Sequence, residues 1–72
     1  MYLAENLKIL RKKHQLTQSQ LAVILEVDRS AYSCYETGKT RPDYEKLIKL
    51  SRFYGASIDD LLLTRFEDGN RS

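Results

Sequence analysis

Apolar side chains recur along this chain at the three- and four-residue spacing of helices that each bury one face. Leu3, Leu7 and Leu10 keep this spacing in the first segment. Thr17, followed three residues later by Gln20, forms the pattern of a capping box, which starts a helix by satisfying free backbone N–H groups. The pattern as a whole predicts five short helices, at about residues 2–14, 18–25, 29–36, 44–54 and 58–63.

Length and composition allow one domain with a modest core. The chain has 72 residues, of which 42% are hydrophobic and 31% charged, as in soluble globular proteins. Its three Gly and one Pro are too few for the many tight turns of an all-β fold. We therefore predict an all-α fold, a compact five-helix bundle over residues 1–63, followed by a polar tail over residues 64–72 that is expected to fray.

The sequence lacks the residue patterns that catalysis, metal binding and membrane insertion require. Cys34 is the one cysteine, which excludes an intramolecular disulfide and a thiolate metal site. No nucleophile–base pair, phosphate-binding loop or Cys/His cluster is recognisable, so we expect neither an enzyme nor a cofactor or metal. No signal peptide opens the chain and no apolar run approaches the roughly 20 residues of a membrane span, which predicts a cytoplasmic protein without membrane contact.

Charge is distributed unevenly, although the formal net charge is only +2. Basic residues gather near one end of the first predicted helix and in the loop after the third, and acidic residues gather toward the C-terminal end. This distribution predicts one basic face, which matters more for a nucleic-acid partner than the total charge. The basic residues are Lys8, Arg11, Lys12, Lys13, Lys39 and Arg41, and the acidic ones are Asp59, Asp60, Glu67 and Asp68.

The second and third predicted helices are separated by only about three residues. Such a short connection makes them cross steeply and pushes the third helix out from the core. On that helix Tyr32 and Tyr35 are the inner positions, and the opposite stripe carries side chains that suit a DNA major groove about 12 Å wide. Arg29 suits the O6 and N7 of a guanine, Ser30 suits either type of base pair, and Cys34 suits a thymine methyl group. This stripe consists of Arg29, Ser30, Cys34 and Thr37.

Residues over most of the chain occur in an order that resembles the Cro/repressor-type helix-turn-helix family, also called the xenobiotic-response-element (XRE) or lambda-repressor-like family. The resemblance covers about residues 3–63. It implies a five-helix DNA-binding domain whose second and third helices form the helix-turn-helix, with the third helix in the major groove. The matching positions are Leu10, Arg11, residues 16–22, Val27, Tyr32, Ser33, Tyr35, Glu36, Gly38, Arg41, Pro42, residues 47–58, Leu61 and Leu62.

The resemblance also implies roles for individual positions. Arg29, Ser30 and Cys34 occupy the positions that read base edges. Arg11 and Glu36 match a structural ion pair, largely buried, between the first and third helices. The residues that would hold the DNA backbone are Thr17, Gln18, Ser33, Thr37, Lys39, Thr40, Arg41 and Tyr44.

Two positions depart from the family pattern. Glu26 stands at the turn where the family usually has Gly. A non-Gly residue with positive φ costs roughly 1 kcal/mol, so we expect the turn to be either strained or slightly reshaped. Tyr32 stands where the family often has Ile or Val. Its larger ring is expected to leave the hydroxyl at the surface, within reach of a phosphate.

We therefore predict a transcriptional regulator that binds double-stranded DNA sequence-specifically. It is expected to be a repressor that binds a roughly palindromic operator as a homodimer. The alternatives are the antitoxin or protein-docking module of a toxin–antitoxin pair, with the toxin as protein partner, and a restriction–modification controller. The dimer contact is expected in the last helix and the stretch after it, where apolar side chains exceed what so short a segment can bury, although part of the set must belong to the core. These side chains are Ile58, Leu61, Leu62, Leu63 and Phe66.

Simpler interpretations stay open for several of these residues. Arg29 can be a solvated helix residue, and Cys34 a buried or inert one. Val23 and Ile24 fit either an interface or the core, and His14 is expected to be a surface or capping residue.

Overall fold

The computed structural model describes residues 1–67 and folds them into five α-helices without a strand. The helices are α1 Leu3–Lys13, α2 Gln18–Leu25, α3 Arg29–Thr37, α4 Tyr44–Tyr54 and α5 Ile58–Leu63. The all-α prediction and the five predicted segments are confirmed, with differences of one residue at each end of α1 and at the C-terminal end of α3. The longest helices have 11 residues, and none within residues 1–67 has the length and apolar character to cross a bilayer.

Side-chain caps set where four of the helices begin. The Thr17 hydroxyl oxygen accepts the backbone N–H of Gln20 at 3.1 Å, and the Gln20 side-chain oxygen accepts the N–H of Thr17 at 2.8 Å, which confirms the capping box of α2. Asp28, Asp43 and Ser57 begin α3, α4 and α5, each accepting the N–H of the residue three positions on. These caps satisfy backbone donors that have no acceptor inside the helix.

Every helix contributes to one core. Leu7 of α1, Leu21 of α2, Tyr32 of α3, Leu50 of α4 and Leu61 of α5 each have 0% exposure and belong to the same cluster. Burial of a side chain of this size stabilises the fold by about 1.5–3 kcal/mol. The inner face of α3 is therefore committed to packing, and its outer face is left for other uses.

Asn6 is a fully buried polar residue that ties α1 to the end of the described chain. Its Nδ2 donates to the carbonyl oxygens of Leu61 at 2.9 Å and Thr64 at 2.7 Å, and its Oδ1 accepts the N–H of Phe66 at 3.0 Å. The amide thus satisfies carbonyl groups that α5 leaves free at its C-terminal end.

The predicted tail is consequently attached to the bundle at its start. The domain boundary at residue 63 stays a prediction. Residues 68–72, which include Asp68 of the predicted acidic cluster, lie outside the described part of the chain.

The turn between α2 and α3 is built on a residue in the left-handed conformation. Glu26 has a φ of 60° and a ψ of 42°, so of the two alternatives the turn takes the strained one, with a non-Gly residue at positive φ. The N–H groups of Glu26 and Val27 close the turn on the carbonyl oxygens of Val23 at 3.1 Å and Ala22 at 2.9 Å. Lys49 on α4 adds an exposed ion pair of 3.4 Å to the Glu26 carboxylate. This turn sets the angle at which α3 leaves α2, so its conformation is kept despite the strain.

Candidate nucleic-acid interface

One face of α3 lies in the core and the other lies in solvent. Tyr32, Tyr35 and Glu36 are buried, which confirms the inward positions predicted for the two tyrosines. The other face carries residues predicted to read or hold DNA: Arg29, Ser30 and Thr37 are exposed, and Ser33 and Cys34 are half-buried. The fold therefore brings these five side chains onto one outer surface, and their contacts with DNA stay a prediction.

The start of α3 presents hydrogen-bond donors around a capping carboxylate. Ser30 Oγ donates to Asp28 Oδ1 at 3.3 Å, and the same oxygen accepts the N–H of Ala31 at 2.9 Å. The Arg29 guanidinium forms no ion pair with any residue in 1–67. Its N–H donors are accordingly open to an external acceptor such as the paired O6 and N7 of a guanine.

The loop after α3 folds back onto the last turn of that helix. The carbonyl oxygen of Cys34 accepts the N–H groups of Gly38, of Lys39 at 3.0 Å and of Thr40 at 3.3 Å. The Thr37 hydroxyl donates to the same oxygen at 3.2 Å. These bonds place three residues predicted to hold the DNA backbone at the C-terminal end of the outer surface of α3.

Positive charge in this loop is not compensated within the described chain. The three ion pairs among residues 1–67 engage the basic side chains of Arg11, Lys46 and Lys49. Lys39 and Arg41 are exposed and belong to none of these pairs. Both cations are thus available to phosphates, and their contacts with the DNA backbone stay a prediction.

Two further residues predicted to contact phosphates lie at helix starts. Thr17 is exposed at the cap of α2, and Tyr44 is the first residue of α4 with 85% of its surface exposed. Both hydroxyl groups are thus accessible from solvent.

Glu36 is a buried carboxylate that joins α1, α2 and α3. Arg11 donates through Nε to Oε2 at 2.7 Å and through Nη2 to Oε1 at 3.2 Å, so the ion pair that the resemblance implies is present. The Tyr32 hydroxyl donates to Oε2 at 2.6 Å, and Gln18 Nε2 donates to Oε1 at 3.1 Å. Arg11 Nη1 also donates to the carbonyl oxygen of Leu16 at 2.9 Å, just before the α2 cap. The cluster therefore locks the start of α2 against α1 and α3.

The protonation states in this cluster follow from its hydrogen bonds. Burial alone would raise the pKa of Glu36, but the hydrogen bonds from Arg11, Tyr32 and Gln18 outweigh it and hold that pKa below its ordinary value of 4.5. The hydrogen bond to Glu36 raises the pKa of Arg11. Burial, followed by the hydrogen bond to Glu36, raises the pKa of the Tyr32 phenol. The cluster is thus a carboxylate and a guanidinium completed by neutral donors.

The prediction that the Tyr32 hydroxyl lies at the surface near a phosphate is wrong. The side chain has 0% exposure, and its hydroxyl is bonded to Glu36 inside the bundle. A buried carboxylate needs donors, and Tyr32 lies four residues before it on the same helix face. That spacing was the signal in the sequence that could have identified the contact.

Gln18 combines a structural bond with a predicted DNA contact. It is half-buried in the first turn of α2, and sequence reasoning missed its bond to Glu36. A glutamine amide has two N–H donors and one carbonyl acceptor. One N–H is used by Glu36, so the other remains for the phosphate contact, which stays a prediction.

The apolar residues predicted to form a dimer contact divide into two groups. Leu61 has 0% exposure and lies in the core where α5 packs on α1, so its assignment to a contact between chains is wrong. Phe66 also packs against the core, whereas Leu63 is 62% exposed. Ile58 and Leu62 are half-buried. The surface available to a second copy is therefore centred on Leu63.

The N-terminal residues lie beside Leu62 of α5. The Tyr2 N–H donates to the carbonyl oxygen of Leu62 at 2.9 Å, and Met1 and Tyr2 are 72% and 39% exposed. A cleft of about 250 Å³ lies beside them. It is lined by Met1, Leu3, Ala4, Tyr35, Gly38, Thr40, Arg41 and Leu62.

Several of the open alternatives resolve as structural roles. Ile24 packs against the core, whereas Val23 is 76% exposed. His14 follows α1 as its C-cap, and its ring packs at a tilt of 57° against that of Tyr54, with ring centroids 5.0 Å apart. Among residues 1–67, no group of three or more His, Cys, Asp or Glu is placed to hold a metal ion.

Comparison with known proteins identifies the architecture. A family model described as a helix-turn-helix matches residues 7–61. The HTH-type transcriptional regulator YqaE of Bacillus subtilis is 46% identical over 59 residues, which cover 82% of this chain and 51% of YqaE. The HTH-type transcriptional activator BcrR of Enterococcus faecalis is 44% identical over an alignment of 73 positions, and the match covers 94% of this chain and 36% of BcrR. The chain thus spans about half the length of YqaE and about a third of BcrR.

A solved structure shows the same arrangement of helices. The DNA-binding domain of the P22 c2 repressor superposes with a TM-score of 0.75 at 31% sequence identity, covering 97% of this chain and 86% of that domain. The family model also spans most of the chain, from α1 into α5. The chain therefore belongs to the Cro/repressor-type, lambda-repressor-like helix-turn-helix family.

Proposed function

We propose that this protein is a sequence-specific transcriptional repressor that places α3 in the major groove of double-stranded DNA. The observation that carries the proposal is the outer face of α3, where Arg29, Ser30 and Cys34 stand together and the Lys39 and Arg41 cations follow without ion-pair partners in residues 1–67. The names of YqaE, BcrR and the P22 c2 repressor, a regulator, an activator and a repressor of the same family, support a role in transcription.

The base contacts follow from side-chain chemistry. The Arg29 guanidinium fits the O6 and N7 of one guanine with two parallel N–H donors, a contact that discriminates against a wrong base by about 1–3 kcal/mol. Ser30 can donate or accept, and the Cys34 side chain fits a thymine methyl group. Cys34 lies about one turn after Ser30, so the two face neighbouring base pairs.

The backbone contacts fix register and supply most of the affinity. Cations that meet phosphates release counterions, so binding weakens steeply with salt, while hydroxyl and amide donors orient the protein without reading sequence. We assign these contacts to Thr17, Gln18, Ser33, Thr37, Lys39, Thr40, Arg41 and Tyr44. No catalytic step is assigned to the chain, and its site of action is cytoplasmic DNA.

We further infer that the chain binds as a homodimer. The exposed side chains of Leu63, Met1 and Tyr2 support a contact surface between two copies, to which the half-buried Ile58, Leu62 and Phe66 add their accessible edges. A two-fold dimer would set the two α3 helices about 34 Å apart, one turn of DNA, and would require a palindromic operator. Occupation of such a site excludes other proteins from the same DNA, which is how it would repress.

Two substitutions test the assignment on a duplex selected by the wild-type chain from a random library. Arg29→Ala should weaken the selected duplex by about 1–3 kcal/mol and relax specificity at one base pair per half-site. Arg41→Ala should weaken all duplexes about equally and reduce the slope of log K against log salt by about one unit per chain. Arg52→Ala, which removes an exposed cation at the far end of α4, is the matched control and should leave the preference unchanged. If the Arg29 and Arg41 variants behave alike, the assignment of Arg29 to a base contact and Arg41 to a phosphate contact is refuted.

A further inference from the structure

The carboxylate of Glu36 connects the inside of the bundle to a residue proposed to touch DNA. Its Oε2 receives the Tyr32 hydroxyl and Arg11 Nε, and its Oε1 receives Arg11 Nη2 and the side-chain amide of Gln18. The Gln18 bond is the one side-chain hydrogen bond between α2 and α3 within residues 1–67. A rotation of the Glu36 carboxylate would therefore move the oxygen to which the Gln18 amide is bonded.

The planar amide makes this connection directional. Nε2 carries two N–H groups in one plane, so fixing one of them on Glu36 Oε1 at 3.1 Å also fixes the direction of the other. A glutamine otherwise loses rotamer freedom when it binds, at a cost in conformational entropy. Holding the amide in the free protein removes part of that cost from DNA binding.

The Tyr32 hydroxyl controls the orientation of the carboxylate. Arg11 contacts both oxygens, but Tyr32 contacts Oε2 alone, at 2.6 Å, and its ring is locked in the core with 0% exposure. A rigid donor on Oε2 keeps Oε1 directed at Gln18. Without the hydroxyl, Oε2 keeps only the Arg11 Nε donor, and the carboxylate loses the one donor that α3 supplies from the core.

We propose that Tyr32 is a positioning residue for DNA binding, which acts through Glu36 to orient the side-chain amide of Gln18 toward a backbone phosphate. The inference rests on the proposed function and names a residue that does not itself meet DNA. It gives a functional reason for tyrosine at a position where an aliphatic side chain could fill the core.

A double-mutant cycle separates this role from a purely structural one. Tyr32→Phe, Gln18→Ala and the double variant are compared on the selected duplex at low temperature, where circular dichroism shows each to be folded. Loss of one hydrogen bond from the Gln18 amide to an anionic phosphate should weaken binding at least about tenfold in Gln18→Ala. Tyr32→Phe should weaken binding by no more than that, and the double variant should bind like Gln18→Ala alone, because Tyr32 acts only through Gln18.

Tyr54→Phe is the matched control. The Tyr54 hydroxyl is also buried, and it makes no hydrogen bond within residues 1–67, so its removal should leave affinity unchanged. Additive losses in the cycle, or a Tyr32→Phe variant that melts earlier but binds with wild-type affinity, would overturn the proposal. Failure of the wild-type chain to prefer any duplex would instead refute the proposed function.

A second measurement on the free protein does not depend on DNA. The two side-chain amide protons of Gln18 should have dispersed chemical shifts in the wild type and in Tyr54→Phe. They should move to the values of a solvated glutamine in Tyr32→Phe. Unchanged Gln18 signals in the folded Tyr32→Phe variant would exclude the coupling.

Discussion

Replacing Glu36 by Gln keeps the size of the side chain and removes its charge. Glutamine retains one acceptor oxygen. Its NH₂ group replaces the other carboxylate oxygen and cannot accept the hydrogen bonds that this oxygen received. The Arg11 guanidinium, whose side chain is 12% exposed, and the buried Tyr32 hydroxyl then lose partners. Glu36→Gln therefore tests how much the cluster contributes to the fold.

The size of the effect follows from burial. Removing one partner of a buried ion pair costs about 3–5 kcal/mol, because the remaining charge is left without compensation. The Glu36 side chain is 3% exposed, but the partial exposure of Arg11 lets water reach the guanidinium, which favours the lower end of that range. We expect a loss of about 3 kcal/mol in the free energy of unfolding, equivalent to a fall in Tm of roughly 12–24 °C for a domain of this size.

The same pair predicts a pH dependence with a definite sign. The pKa of Glu36 lies lower in the folded protein than its ordinary value of 4.5, so the carboxylate stabilises the fold above pH 4.5. As the pH falls from 4.5 through the lower folded pKa, the wild type takes up this proton and loses that stability. The difference between wild type and Glu36→Gln should therefore be constant near neutral pH and shrink in acid.

Thermal and urea unfolding followed by circular dichroism measure both effects. Glu67→Gln, which neutralises an exposed glutamate outside the helices, is the matched control and should change stability by less than about 0.5 kcal/mol. A Glu36→Gln melting curve that matches the wild type at pH 7, or a stability difference that grows in acid, would refute the reasoning.

Three further outcomes can be checked by urea unfolding or sedimentation. Glu26→Gly should stabilise the protein by up to about 1 kcal/mol, since Gly takes the φ of 60° without strain; a stability below that of Glu26→Ala would contradict this. Leu61→Ala should cost about 2–5 kcal/mol because the side chain has 0% exposure, whereas Leu63→Ala, at 62% exposure, should leave unfolding nearly unchanged and weaken self-association in sedimentation. Equal unfolding losses at the two leucines would show that α5 packs differently. Asp28→Ala should cost about 0.5–2 kcal/mol through loss of the α3 cap, and no loss would argue against the bond to the Ala31 N–H.

The helices were predictable because their signals are local. Thr17 with Gln20, and Asp28 at the start of α3, place oxygen acceptors where helix starts need them, and the structure uses them in that way. At Glu26 the family's usual Gly was the signal, and it left open whether the turn is strained or reshaped; the structure has the positive φ. Local chemistry thus sufficed for the helix positions and for which side of α3 is exposed.

Contacts between distant segments were harder to predict. Which of the apolar residues in α5 enters the core depends on how α5 lies on α1. This packing buries Leu61, which was predicted to contact a second copy. The Tyr32 hydroxyl was predicted at the surface because only the size of the ring was considered, and not a hydrogen bond to the Glu36 carboxylate. Gln18 reaches the same carboxylate only after α2 has docked, so its second role is set by the tertiary fold.

The central claim is that the outer face of α3 enters the duplex, and titration of the isotope-labelled protein with the selected duplex, followed by amide chemical shifts, tests it most directly. We expect the largest changes at residues 28–34 and in the loop at residues 37–41, with α5 little affected except at a dimer contact. Changes centred instead on another surface, such as the exposed lysines Lys8 and Lys12 of α1, would contradict it.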